Sequence, residues 1–438
     1  MTIPSFSISD AGEADAFLAR LAARANPEDN NRSVEETVAG ILADVKQRGL
    51  AAIVDYTRRF DAPDFSESFF AVPEAALAAA ADGIPAGDKA VIMEAAENIR
   101  RFHDAQKARS WFMQGQSGTL LGQMVTPVDR AGLYVPGGKG GATPLISSLL
   151  MNAIPAQVAG VPELAVISPP RSDGTVNEYI LAAAYLLGIR EVYAAGSAWA
   201  VAALAHGAGP LRPVDVIAGP GNIFVATAKR MLIGLVGIDM IAGPSEVCVI
   251  ADASANPAWA AADLLSQAEH DAQASAVCLC TDARVARDIV EETSRQCALL
   301  PRREIAEKSL ADYGAVISVP DMDTALAVAN RIAPEHLELL VNDPWAVLPG
   351  VRHAGAVFMG HFSPEPVGDY YAGPNHVLPT MGTARFSSAL SVDIFCKKSS
   401  IIAASPAFTR SGAQAVARLA RLEGLEAHAR SALCRLEE

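Results

Sequence analysis

Beyond about Gly118 the sequence changes rhythm, and that change constrains the fold more than any other feature. Short apolar runs there alternate with stretches of helical spacing. Arg130–Val135, Glu163–Ser168, Glu191–Ala194 and Val214–Ile217 read as strands, with helices expected between them over Ser147–Val158 and Glu178–Leu187. A second series opens at Val247–Ile250. It continues with a helix running to about Ala272, a strand over Cys278–Thr281, a helix over Arg284–Gln296, a strand over Ala315–Val319 and a helix over Met322–Arg331. Leu337–Leu340 and Ala356–Met359 read as further strands. Asn256 followed by Pro257 is a good helix start, with Asn as cap and Pro in the first turn. Apolar strands alternating with helices are the mark of a mostly parallel sheet covered on both faces.

Residues 1–125 read mainly as helix. Ser33-Val34-Glu35-Glu36 resembles a capping box, and Val38, Ile41, Leu42, Val45, Ile53, Val54 and Tyr56 follow at helical spacing as far as Phe60. A second helix is expected from about Ala86 to Gln106. Residues 361–395 are rich in Gly, Pro, Ser and Asn; a long irregular stretch in a compact chain is usually functional or disordered, and the aromatic and apolar content here argues against disorder. From about Phe408 to Leu436 the spacing suits an amphipathic helix pair. The expected fold class is α/β: two Rossmann-like parallel-sheet units with a helical N-terminal portion and a C-terminal helical arm.

Composition narrows the function classes. The chain has 438 residues and is 51% hydrophobic but only 19% charged, enough to bury a large core. Its formal charge of −14 makes it a poor partner for nucleic acid or an anionic membrane. The start, MTIPSFSISDAGEADAF, lacks the basic and apolar regions of a signal peptide, and no uninterrupted apolar stretch is long enough to span a bilayer. A cytoplasmic location is expected. Cys248, Cys278, Cys280, Cys297, Cys396 and Cys434 form no CxxC pair, and reduced thiols are expected.

Several segments could carry chemistry, each with a plain structural alternative. Tyr134-Val135-Pro136-Gly137-Gly138-Lys139-Gly140-Gly141 joins a strand to a helix, where phosphates often bind, but it is neither GxxxxGK[ST] nor GxGxxG and could be a sharp turn. Ala218-Gly219-Pro220-Gly221-Asn222 has the same placement, and so has the equal alternative of a capped turn. Ala242-Gly243-Pro244-Ser245-Glu246 precedes a strand. Gln267 and His270, three apart, would share a helix face; imidazole suits zinc, whereas a lone histidine is more often a satisfied core residue. Pro334-Glu335-His336 sets a carboxylate beside an imidazole, two groups able to move protons near neutral pH. A helix starting there would disfavour the imidazolium. Ser363-Pro364-Glu365-Pro366-Val367-Gly368-Asp369 and Ala372-Gly373-Pro374-Asn375-His376 concentrate Glu, Asp, Asn and His on one constrained loop. Glu423 and His428 near the end read alone as a solvated helix face.

Taken in order, these segments resemble the histidinol dehydrogenase family from about residue 33 to the end. The resemblance is carried by DRAGLYVPGG (129–138), LLMNAIPAQVAGV (149–161), GPGNIFVATAKR (219–230), VGIDMIAGPSEV (236–247), DLLSQAEHD (263–271), RIAPEHLELL (331–340), SPEPVGDYYAGPNHVLPTMGTARFSS (363–388) and LEGLEAHAR (422–430). It implies one zinc ion per subunit held by Gln267, His270, Asp369 and His428, with His428 supplied by the partner's arm in an obligate homodimer. It implies a base pair of Glu335 and His336, and NAD contacts at Tyr134 and Asn222. The implied substrate contacts are Ser245, Glu335, His376 and Glu423, together with His336 and the four metal ligands. The implied division is an N-terminal segment (1–30), a first α/β domain from 31–133 and 247–390, a second from 134–246, and an arm from 391–438.

The implied activity is oxidation of L-histidinol through the aldehyde to L-histidine with two NAD, the last steps of histidine biosynthesis. The alternatives are a related zinc and NAD dehydrogenase of another polar alcohol, such as a sulfonated diol, or a catalytically silent zinc-binding scaffold. One departure bears on the cofactor. Where the family usually has Gly-Gly-Ala-Gln, this chain has Gly196-Ser197-Ala198-Trp199, so an indole stands in place of an amide expected to touch NAD. The 139–143 loop also departs from the family's usual segment.

Overall fold

The computed structural model describes residues 3–24, 28–138 and 141–436. Two parallel sheets dominate. The first has six strands, in the order β1 (Ser5–Ser7), β11 (Ala315–Ser318), β10 (Ser275–Cys280), β9 (Glu246–Ala251), β12 (His336–Leu340) and β13 (Ala356–Met359). The second has five: β6 (Glu191–Ala194), β5 (Glu163–Ser168), β4 (Arg130–Tyr134), β7 (Val216–Ala218) and β8 (Gly237–Ile238). In each, three successive strands step outward one way and the next two return to the other side. Each sheet therefore reverses direction once, between β9 and β12 in the first and between β4 and β7 in the second. Such a reversal opens a crevice at the carboxyl ends of the strands it separates.

Side-chain chemistry explains the sheets. Every residue of β9 and β10 is buried, and the first sheet has an apolar cluster on each face, as a doubly covered parallel sheet requires. The helices Leu50–Phe60, Glu74–Gly83 and Ala86–Asp104 share one core with the second sheet, where Ile53, Leu77 and Ile99 meet Leu133, Leu149 and Ile167. Asn256 caps its helix as expected, accepting from the amides of Ala258 and Trp259. The C-terminal pair is present as Pro406–Leu422 and Glu426–Leu433.

Elsewhere the structure differs from the sequence reading. The N-terminal portion starts with a strand, β1, which pairs with β11. The helix expected to begin at Ser33 already runs at Glu28, and Gly49, at φ 56°, breaks it from Leu50–Phe60. Residues 111–127 form strands, not helix. β2 (Trp111–Gln114) and β3 (Leu120–Pro127) pair antiparallel, and β14 (Cys396–Ala403) joins β3 from far along the chain. The helix after Asn256 stops at Ala268, so Gln267 is in its last turn and His270 in the turn beyond. All six cysteines are unpaired. Among the described residues, no helix is long and apolar enough to cross a membrane.

Candidate active site

The acid–base candidates lie where β9 and β12 begin. Main-chain atoms of Glu246, the first residue of β9, hold both of them. Its amide donates to Glu335 Oε2 at 2.9 Å, and its carbonyl lies 2.9 Å from His336 Nδ1. A carbonyl only accepts, so Nδ1 carries the hydrogen and Nε2 is left as the basic nitrogen. Nε2 is buried without a hydrogen-bond partner in the chain and lies 3.8 Å from Asp369 Oδ1. Burial lowers the pKa of His336 and keeps the imidazole neutral, while burial raises that of Glu335 well above the carboxylate range. No helix starts here, contrary to one reading of Pro334. The preceding helix ends at Ile332, Ala333 takes a left-handed conformation, and desolvation replaces the helix end as the cause of neutrality.

Around this pair the chain gathers further ligand-type groups. Asp369, on the short helix Glu365–Tyr370, is pushed up to about 8 by burial and by the neighbouring Glu365 carboxylate. His376 Nδ1 bonds the Asp369 carbonyl at 3.0 Å, and burial lowers its pKa to about 4. Gln267 is 1% exposed, and its Oε1 has no hydrogen-bond partner. His270 is exposed in the turn beyond Gln267, three residues on from it. Ser245 immediately precedes β9. Asp369 and His376 also line a cavity of about 460 Å³ with Phe358, Val367 and Leu378.

One member was read from sequence only as part of the 363–369 loop, with no role of its own. Glu365 is buried, accepts from Ser266 Oγ at 2.9 Å, and groups with His336 and Asp369 so that their ligand atoms lie within 4.8 Å of one another. Its amide donates to Glu338 Oε1 at 2.9 Å, and Glu338 in turn shares a hydrogen bond with Asp263. A glutamate between two prolines on a loop carries no sequence signal that its side chain turns inward. Glu423 and His428 are placed elsewhere. Both are exposed on the C-terminal arm, where helix Glu426–Leu433 packs on helix Pro406–Leu422. His428 is not in the His336, Glu365 and Asp369 group within one chain.

The second sheet reverses at β4 and β7, and the carboxyl ends of those strands are where its topology calls for a crevice. Tyr134 ends β4, fully buried, and its hydroxyl accepts from the Ser197 amide at 3.2 Å. Gly219 follows β7 at φ +126°, where a Cβ would lie 2.0 Å from the Tyr134 carbonyl oxygen. Only glycine fits. Both polar groups of Gly219 are clamped: its amide donates to Asp239 Oδ2 at 2.8 Å, its carbonyl accepts from Lys229 Nζ at 2.9 Å, and Lys229 and Asp239 form a buried ion pair. Asn222 Oδ1 caps helix Ile223–Met231, accepting from Phe224 and Val225, which turns its NH₂ away from the helix. Trp199 does not face this crevice openly. It is 4% exposed and stacked between Tyr56 and Phe60, with centroids 5.7 and 5.6 Å away. Lys139 and Gly140 lie outside the described residues.

A sequence model described as histidinol dehydrogenase matches residues 24–436. The histidinol dehydrogenase of Nitratidesulfovibrio vulgaris is 63% identical over 95% of this chain and 94% of its own length. The chain belongs to the histidinol dehydrogenase family. A second family member, from Oleidesulfovibrio alaskensis, is 60% identical over 99% of this chain and all of its own. A crystal structure of histidinol dehydrogenase from Elizabethkingia anophelis superposes with a TM-score of 0.88 at 32% identity, covering 99% of this chain and 98% of that one.

Proposed function

We propose that the chain oxidises L-histidinol through the aldehyde to L-histidine with two NAD, at a zinc site completed by a second copy. The observation that carries this is the pair held by Glu246: a neutral imidazole with its Nε2 exposed to a ligand cluster, beside a buried carboxyl. The donor set fits a zinc ion. The unpartnered Gln267 Oε1 and the crowded carboxyl of Asp369 are what a cation would satisfy, and His270 stands in the turn beyond Gln267. The holders are Gln267, His270 and Asp369, with His428 from the arm of the second copy. When bound, the ion would fix the substrate's nitrogen atoms and polarise its carbinol oxygen.

The chain's own residues do the rest. His336 Nε2 takes the hydroxyl proton as hydride leaves the carbinol carbon; Tyr134, Gly219 and Asn222 would hold the NAD that accepts it. Glu335, in its carboxylate form, then takes a proton from water as it adds to the aldehyde, and His336, having released its first proton to solvent, serves again as hydride leaves the hydrate. Positioned acid–base groups of this kind contribute about 10²–10⁴-fold each. Ser245, His376 and Glu423 orient the substrate. A homodimer is supported by the apolar surface on and beside the arm, where Trp111, Phe112, Met113, Leu419 and Leu422 are exposed. The silent-scaffold reading is weakened, since the Trp199 ring packs in the core against Tyr56 and Phe60, with only its Nε1 lacking a hydrogen-bond partner in the chain.

Two variants test the roles. His336→Asn should abolish both oxidations, and Glu335→Gln should slow aldehyde oxidation more than alcohol oxidation, read from stopped-flow NADH formation with each substrate. Wild-type rates in both would sink the assignment.

A further inference from the structure

The residue that fixes the acid–base pair, Glu246, is itself fixed by one cation far away in sequence. Arg24 follows helix Asp15–Ala23, and its side chain is 1% exposed. Its guanidinium uses three directions at once. Nε donates to the Leu21 carbonyl at 3.1 Å, one terminal nitrogen donates to the Gln273 carbonyl at 2.9 Å, and the other pairs with Glu246 Oε1. The Tyr313 ring lies 5.3 Å from the guanidinium carbon. The Glu246 side chain is 3% exposed, and its other oxygen has no hydrogen-bond partner in the chain. A buried carboxylate so placed depends on its partner cation, and removing that cation takes away its charge partner.

We propose that Arg24 is a positioning residue for the reaction, holding Glu335 and His336 in register through Glu246. The path is short and continuous: guanidinium to Glu246 carboxylate, Glu246 main chain to the Glu335 carboxyl and the His336 imidazole. Anchoring by Gln273 ties the same guanidinium to the turn before β10, and the turn beyond Gln267 carries His270. The planar fork suits this task because a lysine could reach one of the three acceptors but not hold all of them. Arg24 touches neither cofactor crevice nor metal ligand, so its loss should act on the chemical steps and spare NAD binding.

This inference rests on the assignment of Glu335 and His336 above, and the test separates the two. Zinc-loaded, full-length wild type, His336→Asn, Arg24→Met, Arg24→Lys and Glu246→Gln are compared by kcat, by KM for L-histidinol and NAD, and by equilibrium NAD titration. Arg24→Met should lower kcat about 10²-fold, the usual effect of a small misplacement of catalytic groups, with NAD affinity unchanged. Arg24→Lys should recover part of that loss. Glu246→Gln, which keeps the main chain but breaks the ion pair, should show the same pattern and decides the matter if Arg24→Met does not fold. A wild-type kcat in folded Arg24→Met or in Glu246→Gln overturns the inference, as does a loss of kcat matched by an equal loss of NAD affinity. An inactive wild type, or an active His336→Asn, overturns the function or the base assignment instead.

Discussion

Lys229→Met tests the clamp beneath the cofactor crevice. Lys229 and Asp239 are 3% and 0% exposed and pair directly, so methionine, close in length, removes a charge without opening a large void. Breaking a buried pair costs about 3–5 kcal/mol. Asp239 keeps amide donors from Gly219 at 2.8 Å and Met240 at 2.6 Å, which favours the lower end, about 3 kcal/mol. The lost bond from Lys229 to the Gly219 carbonyl adds about 1 kcal/mol. A total near 4 kcal/mol, at roughly 2 °C per kcal/mol for a long chain, lowers Tm by about 8 °C. Because Gly219 packs against Tyr134, KM for NAD should rise while kcat changes less. Circular dichroism melts and NAD titration provide both readings. A Tm within about 1 °C of wild type would refute the buried-pair energetics. An unchanged NAD affinity despite the lower Tm would refute the link to the crevice.

Two further perturbations have clear signs. Asp61, beside Tyr134 and Gly196, is raised to about 6 by burial and has an unpartnered Oδ2. Its folded pKa lies above its unfolded value, so its charge destabilises the fold above pH 6 and that penalty fades as pH falls toward 3.8. Asp61→Asn should therefore melt higher than wild type at pH 7.5, with the gap narrowing by pH 5; a gap that widens in acid contradicts this. Trp199→Gln should cost about 3–5 kcal/mol, as for other large buried aromatics, while NAD affinity changes less than about threefold. Large loss of NAD affinity at unchanged Tm would show that the indole serves the cofactor and not the core.

The sequence made the parallel sheets legible because strands such as β9 and β10 are buried on both faces and written as unbroken apolar runs. β2, β3 and β14 escaped because their exposed faces carry no clean alternation and β14 joins β3 from roughly 270 residues away along the chain. Glu335, His336, Gln267, His270 and Asp369 were singled out as candidates from motifs. Arg24 and Glu365 were not, since a lone arginine beside a helix end and a glutamate between prolines gain meaning only from burial. Position 199 shows the limit of reading by resemblance: the ring occupies a gap between Tyr56 and Phe60 that the chain's order does not reveal.

The account's central claim is a four-electron oxidation at a metal site. NADH released from limiting L-histidinol by zinc-loaded protein with excess NAD, followed by absorbance, tests it most directly. Two NADH per histidinol, lost on chelation and restored by zinc, is the predicted result. One NADH per histidinol, or turnover indifferent to chelation, would contradict it.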